Sequence, residues 1–440
     1  MKNIILLVLF CAVLVSCKRA KPEEYNKIAN DSKIVTETFD KLTDVIIHDI
    51  FSPPVSSRIY AYTAIAGYEA LRPGNANMLT VANQINGLTA APQPEKDQEY
   101  CYALASAKAM MKVARTLTFT VDKYDEYEKT LDQKFKNAGV PSDVIERSVK
   151  YGEAVADHVL AYSKKDNYLQ TRGLRYTVKT KENKWEPTPP QYADAIEPYW
   201  MTIRPMVIDS AAQFPPAPVI PYSKAAGSPF RKEVQKVFET VNNLSQEQKD
   251  IAWFWDDNAF VMNVQGHVMY ANKKMTPAGH WIAITKTISK QQKLDVFQTS
   301  EAYLKVSLGL FDAFISCWHQ KYASEKIRPE TVINAEMDPK WAPFLQTPPF
   351  PEYTSGHSTI SAASAEVLTA ILGDNIKFTD STEFAYDHGV RTFSSFREAA
   401  KECSMSRVYG GIHYESGCEE GLKAGAKIGQ FVSQKIKTRK

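Results

Sequence analysis

Beyond its first fifteen residues this chain has no apolar run long enough to span a bilayer, which excludes a polytopic membrane protein. It has no basic tract with interleaved aromatics, and its net charge is only +3, so nothing in it argues for nucleic acid. Strand-like alternation is scarce, and no short internal repeat is evident. Cysteine is sparse as well: four remain once the N-terminal run and its end are set aside, Cys101, Cys317, Cys403 and Cys418. The last two flank the segment 407–413; a disulfide in an oxidising compartment and two buried thiols both fit, because spacing alone does not fix pairing.

What is present is a composition able to bury a substantial core, 44% hydrophobic and 23% charged. Apolar residues recur at helical intervals over about 36–71, 97–118, 122–137, 142–164, 232–272 and 300–322, with a break required at Pro53-Pro54. Between Pro187 and Pro229 lie ten of the 24 prolines, together with Trp200, Ile203, Met206, Val207, Ile208 and Phe214. So apolar a connection packs on the helices rather than swinging between domains. The expected fold is all-α, helical bundles with a long Pro-rich connection, in a single catalytic domain over 36–437.

At the start, Lys2 precedes an apolar run from Ile4 to Val15 that closes on Leu14-Val15-Ser16-Cys17. This pattern predicts a lipoprotein signal peptide over 1–16, a lipid on Cys17, a polar tether over 17–35 and a location in a bacterial cell envelope, held to the membrane by the anchor alone. An ordinary secretory signal is the alternative.

The chemistry concentrates in the last quarter. Lys321 is followed by Arg328-Pro329, then by Ser355-Gly356-His357, then by Ser406-Arg407 and His413. Two arginines and a lysine suit an oxyanion with three oxygens spread around one centre, the arginines bridging and the lysine acting as a compact charge. Ser355 and the Gly356 N–H add neutral donors. So cationic a pocket lowers histidine pKa values, leaving His413 neutral enough to attack or ligate the central atom, while His357 moves a proton on the opposite side. No carboxylate cluster accompanies these groups, which argues against a bound divalent cation in the pocket. A helix beginning just after His357 and ending at Gly373 turns its positive end toward the anion.

These segments resemble the signature of the vanadium-dependent haloperoxidases and their relatives, the type 2 phosphatidic acid phosphatases and bacterial class A acid phosphatases: a Lys and Arg-Pro, a Ser-Gly-His, and a Ser-Arg with a trailing His. The run Pro349-Phe350-Pro351-Glu352-Tyr353-Thr354-Ser355-Gly356-His357 resembles the haloperoxidase form of the loop, with Thr354 where many members have proline. The likeness is specific over about 310–415, within a core expected at 300–437. It implies vanadate as cofactor, with phosphate competing for the site. His413 would be the ligand to vanadium, Lys321, Arg328, Ser355, Gly356 and Arg407 would hold the oxygens, and His357 would assist peroxide. Trp318 and Phe350 would shape the substrate pocket.

Two chemistries share such a pocket: oxidation of iodide or bromide, rather than chloride, by hydrogen peroxide, and hydrolysis of a phosphate ester through a phosphohistidine. The haloperoxidase branch is favoured by Trp318, Phe350 and the long helical N-terminal portion. A third reading, a lipid-anchored surface module that binds nutrients, leaves the cationic segments unexplained. Asp256 and Asp257 are candidates for a carboxylate that orients Arg407 or His413, and His267 and His280 are weaker candidates for the same surroundings. His48, His158, His319 and His388 are expected to be structural or on the surface. Oligomeric state is left open.

Overall fold

Pro53 and Pro54 do divide the first long helical stretch, and they do so by starting a helix rather than only ending one. Ser52 accepts from the Val55 N–H as an N-cap, and the two prolines occupy the first turn, where a missing N–H costs nothing. The computed structural model describes residues 22–440 apart from 180, 260, 266 and 272. The proposed signal peptide and Cys17 lie outside the described residues.

Helices Lys33–His48, Pro53–Leu71, Tyr102–Leu117, Asp125–Asn137 and Ser142–Ser163 make up the first half. Helices Val296–Ser324, Gly356–Leu372, Phe396–Tyr409 and Glu415–Lys435 dominate the second. The expected all-α fold is what the chain adopts. Val296–Ser324 is its central rod: capped by Asp295 in a capping box, it packs on Pro53–Leu71 from one half and on Gly356–Leu372 from the other. A continuous apolar core runs from Tyr25 to Ile436.

Two stretches depart from expectation. Residues 22–35, expected as tether, carry the helix Pro22–Ala29, whose Tyr25 is buried and hydrogen-bonds Glu99. The stretch 232–272 is helical only through Pro229–Asn242 and Gln246–Phe254; it then forms an antiparallel hairpin, Met262–Gln265 with Val268–Ala271. The helix ends at Phe254 with Trp255 as its C-cap, and Asp257, three residues beyond the helix end, has a φ of +42° that keeps the chain from resuming a helix.

The Pro-rich connection packs on the rod as expected. Asp312, fully buried in the rod, accepts the N–H groups of Met206, Val207 and Ile208 at 2.7, 2.7 and 2.9 Å. Burial raises its carboxyl to about 6 even against those three bonds.

The last helix owes its position to Gly417, Gly421, Gly425 and Gly429. A Cβ on Gly425 or Gly429 would collide with the carbonyl of Thr359 or Ala363, so the stripe lets Glu415–Lys435 lie directly on Gly356–Leu372. Cys403 and Cys418 are buried free thiols. Among the described residues no helix is long and apolar enough to cross a membrane.

Candidate active site

Four local rules bring the signature residues together. Lys321 lies in the last turn of the central rod, which closes at Glu325 in a left-handed cap. Arg328 sits at the N-cap of Pro329–Glu336, in extended backbone that the following proline requires. Ser355 caps Gly356–Leu372 by accepting from the Ser358 N–H, which puts Gly356 and His357 in its first turn. Arg407 closes Phe396–Tyr409, and His413 stands in the turn before the last helix.

His413, 2% exposed, is held between two charges. Its Nδ1 lies 2.8 Å from Glu352 Oε1 and its Nε2 lies 3.2 Å from Arg328 Nη1. Arginine only donates, so Nε2 must accept; Nδ1 therefore carries the hydrogen and donates it to Glu352. Burial, with Arg328, Lys321 and Arg407 close by, holds the His413 pKa well below the usual imidazole range. The result is a neutral imidazole with a bare Nε2 lone pair among cations.

His357 reaches the same state by another route. It is hydrogen-bonded to the Asp256 backbone, and its Nε2 is buried without a partner among the described residues. Burial, then Arg407 and His413, lower its pKa well below normal. The Asp256 carbonyl also accepts from Arg407 Nη1 at 3.2 Å, while Arg407 Nε is 3.1 Å from Ser406 Oγ. Arg407 Nη2 is buried with no partner among the described residues. A guanidinium edge and an imidazole nitrogen left open around one cavity indicate an anion or water-borne partner.

The cavity these groups face has a volume of about 30 Å³, against several hundred for a site that holds a drug-sized organic ligand. Gly356, His357, Arg407 and His413 line it, with Trp318 and Phe350 as its apolar wall, their rings 5.0 Å apart. Trp318 is fixed by its Nε1–H to the Ile196 carbonyl at 3.2 Å.

Lys321, Arg328 and Ser355 stand behind that lining. The Lys321 ammonium donates to the carbonyls of Pro351, Glu352 and Thr354 at 2.9, 3.1 and 2.6 Å, and burial lowers it to about 8. Arg328 donates to the Phe350 and Ile412 carbonyls at 2.9 and 2.6 Å, and burial lowers it to about 10. Both cations thus tie the 348–354 loop to the rod and to the His413 turn while adding charge to the wall.

Asp256 and Asp257 are both buried, and each does something different from the expected orienting carboxylate. Asp256 orients Arg407 through its carbonyl, its carboxylate going to Lys274 at 2.8 Å. Asp257 lines the cavity and binds His280. His267 is exposed. Glu352, which holds His413, and Lys326, 3.7 Å from Glu352 Oε2, are site residues that the sequence does not single out, although Glu352 lies inside the run 349–357. Its spacing from His413 carries no local signal.

Residues 301–439 match the family described as the VCPO second helical-bundle domain. A bacterial vanadium-dependent iodoperoxidase of known structure is 43% identical, covering 93% of this chain and 97% of its own, with a TM-score of 0.88. Apo and holo structures of bacterial vanadium-dependent chloroperoxidase share the fold at 15% identity, with TM-scores of 0.64 and 0.66; they cover 87% and 95% of this chain and 94% and 96% of theirs. No protein with a curated description matches the sequence.

Proposed function

The chain belongs to the bacterial vanadium-dependent haloperoxidases, and we propose that it oxidises iodide, with bromide as the second halide, by the reaction H2O2 + X⁻ + H⁺ → HOX + H2O. The observation that carries this is the pair of open nitrogens, Arg407 Nη2 and His357 Nε2, buried around the cavity that His413 lines. Vanadate, a tetrahedral oxyanion, suits that donor set: it needs one neutral nitrogen at its centre and charged donors around its oxygens.

His413 would ligate the vanadium through Nε2, its lone pair kept free of a proton by Arg328 and aimed by Glu352. Arg407, Arg328, the Gly356 N–H and the Ser355 hydroxyl would hold the oxygens, and Lys321 would exchange one carbonyl for an oxygen while keeping the loop. When bound, vanadate supplies Lewis-acid activation of hydrogen peroxide toward the halide. His357, neutral and with Nε2 open, accepts the proton that peroxide sheds and returns it to the departing oxygen. Asp256 keeps that imidazole in the required tautomer. Trp318 and Phe350 exclude water beside the site and offer polarisable faces to a large, weakly hydrated halide. Iodide is favoured because it yields its electrons most readily of the halides and because the 43% identical relative is an iodoperoxidase.

The test is reconstitution with orthovanadate and assay of iodide, bromide and chloride oxidation beside phosphomonoester hydrolysis. Vanadate-dependent iodide oxidation, lost together with vanadium retention in His413→Ala, is expected. Phosphatase turnover without any vanadate-dependent halide oxidation overturns the reading. For location, we propose a lipid anchor on Cys17 in a bacterial envelope, on the strength of the Leu14-Val15-Ser16-Cys17 pattern; mass spectrometry of the mature N-terminus finding an unmodified Cys17, or cleavage elsewhere, would end that proposal.

A further inference from the structure

Behind the Asp257 wall of the cavity lies a second cluster that the reaction above leaves unused. Glu383, on the short turn Thr382–Tyr386, is 2% exposed, and its Oε1 has no hydrogen-bond partner among the described residues. His280, fully buried on the helix Pro277–Gln291, has Nδ1 3.0 Å from both carboxylate oxygens of Asp257 and Nε2 2.8 Å from Asp380 Oδ2. One ligand-type atom each from Asp257, His280 and Glu383 lies within 4.8 Å of the others.

Charge does not balance easily there. Among the described residues, the cationic partners that Asp256, Asp257, Asp380 and Glu383 face are His280 and Lys274, the latter paired with Asp256 at 2.8 Å. Arg407 touches Asp256 through the carbonyl, and Tyr386 and His388 add no fixed positive charge. Burial of Glu383, with Asp257 beside it, raises its pKa. Asp257 and Asp380 raise that of His280 against the opposing effect of burial. Without an added cation the cluster closes by holding a proton on each.

We propose that Asp257, His280 and Glu383 form a binding site for a divalent first-row transition ion such as zinc. Two ligand atoms about 2.1 Å from one tetrahedral ion stand about 3.4 Å apart, so His280 Nδ1 and the Asp257 carboxylate, now 3.0 Å apart in a hydrogen bond, need part by only a few tenths of an ångström once the shared proton leaves. His280 already turns its other nitrogen to Asp380, the arrangement by which a carboxylate orients a metal-bound imidazole. The nitrogen donor disfavours magnesium and calcium, and the lack of a thiolate disfavours copper(I). The exchange balances: the ion brings two positive charges, His280 Nδ1 and the Glu383 carboxyl each release one proton to solvent, and the cluster's net charge is unchanged. The ion would join the Asp257 turn, the helix Pro277–Gln291 and the Thr382–Tyr386 turn, three segments distant in sequence.

Calorimetric titration of the tag-free full chain with zinc chloride at pH 7.5 tests this, run in parallel on a His357→Ala/His413→Ala background that removes the imidazoles of the anion pocket. One zinc per chain is expected in both, with affinity falling at least tenfold in Glu383→Gln and in Asp380→Asn. Zinc should also raise the melting temperature of the wild type and not that of Glu383→Gln. Absence of one-to-one uptake on the double-alanine background, or uptake unchanged by Glu383→Gln, overturns the proposal. Neither outcome depends on vanadate or halide chemistry.

Discussion

Glu352 Oε1 accepts the Nδ1–H of His413 at 2.8 Å and the Tyr414 N–H at 3.3 Å, so one buried carboxylate sets both the tautomer of the imidazole and the backbone that carries it. Replacing Glu352 by glutamine keeps an acceptor in place and removes the charge. Loss of such a support costs about 10- to 100-fold in affinity for a bound metal centre. Vanadate retention after equilibrium dialysis of Glu352→Gln should fall by that factor; retention equal to wild type would contradict the role.

Among the described residues that line the cavity, Arg407 is the cation with a buried edge left open. Arg407→Ala should lower vanadate-dependent halide oxidation by roughly 100- to 1,000-fold, the usual consequence of deleting one charge-stabilising donor. Arg407→Lys should recover only part of this, because lysine cannot bond Asp256 and an oxyanion through one planar fork. Steady-state rates at saturating vanadate make the comparison.

Gly417 and Gly429 lie on the same helix stripe and should fail differently. A Cβ at 417 would strike the Glu352 carboxylate, whereas one at 429 meets the Ala363 carbonyl and Glu366 Cβ, which are not among the groups described at the site. Each alanine variant should lose about 1–3 kcal/mol of stability through overpacking. Only Gly417→Ala should also lower turnover per bound vanadium, which denaturation curves and metal-normalised rates distinguish.

In the metal-free protein, kept so with a chelator, His280 gives a pH signature. Its pKa is raised in the folded state by Asp257 and Asp380, so its contribution to stability is complete below the unfolded value near 6.5 and is lost as pH rises through the folded value. His280→Gln, which leaves two buried carboxylates short of a cation, should cost about 3–5 kcal/mol at pH 6. The gap between wild type and variant should narrow toward alkaline pH in chemical denaturation; a gap that is constant or widens would show that the imidazole is not charged.

The helices and the pocket residues were legible because their causes are local. Pro53-Pro54 breaks a helix wherever it stands, Ser355 caps the helix that follows it, and the order of Lys321, Arg328, His357, Arg407 and His413 survives as linear text. The hairpin at 262–271 was hidden because its apolar residues also fit a helical period, and the turn between helix and hairpin uses a positive φ at Asp257 that no neighbouring glycine announces. Glu352 carries no sequence signal because its partner His413 lies 61 residues away, and His280 is only a weak candidate in the sequence because its partners lie 23 and 100 residues away. The expected direct grip of Lys321 on an oxygen differs from its three bonds to loop carbonyls, which only the folded loop brings within reach.

The glycine stripe ties pocket assembly to the order of synthesis. Glu415–Lys435 must be translated before it can cover Gly356–Leu372, and the segment after it then sews back to the first half, Thr438 accepting from the Leu79 N–H and Lys440 donating to Asn77. Until that packing forms, Lys321, Arg328 and Arg407, each buried in the folded protein, are open to water, where their charges attract anions without selecting among them. Selective capture of the cofactor therefore requires the packed pair, Glu415–Lys435 seated on Gly356–Leu372.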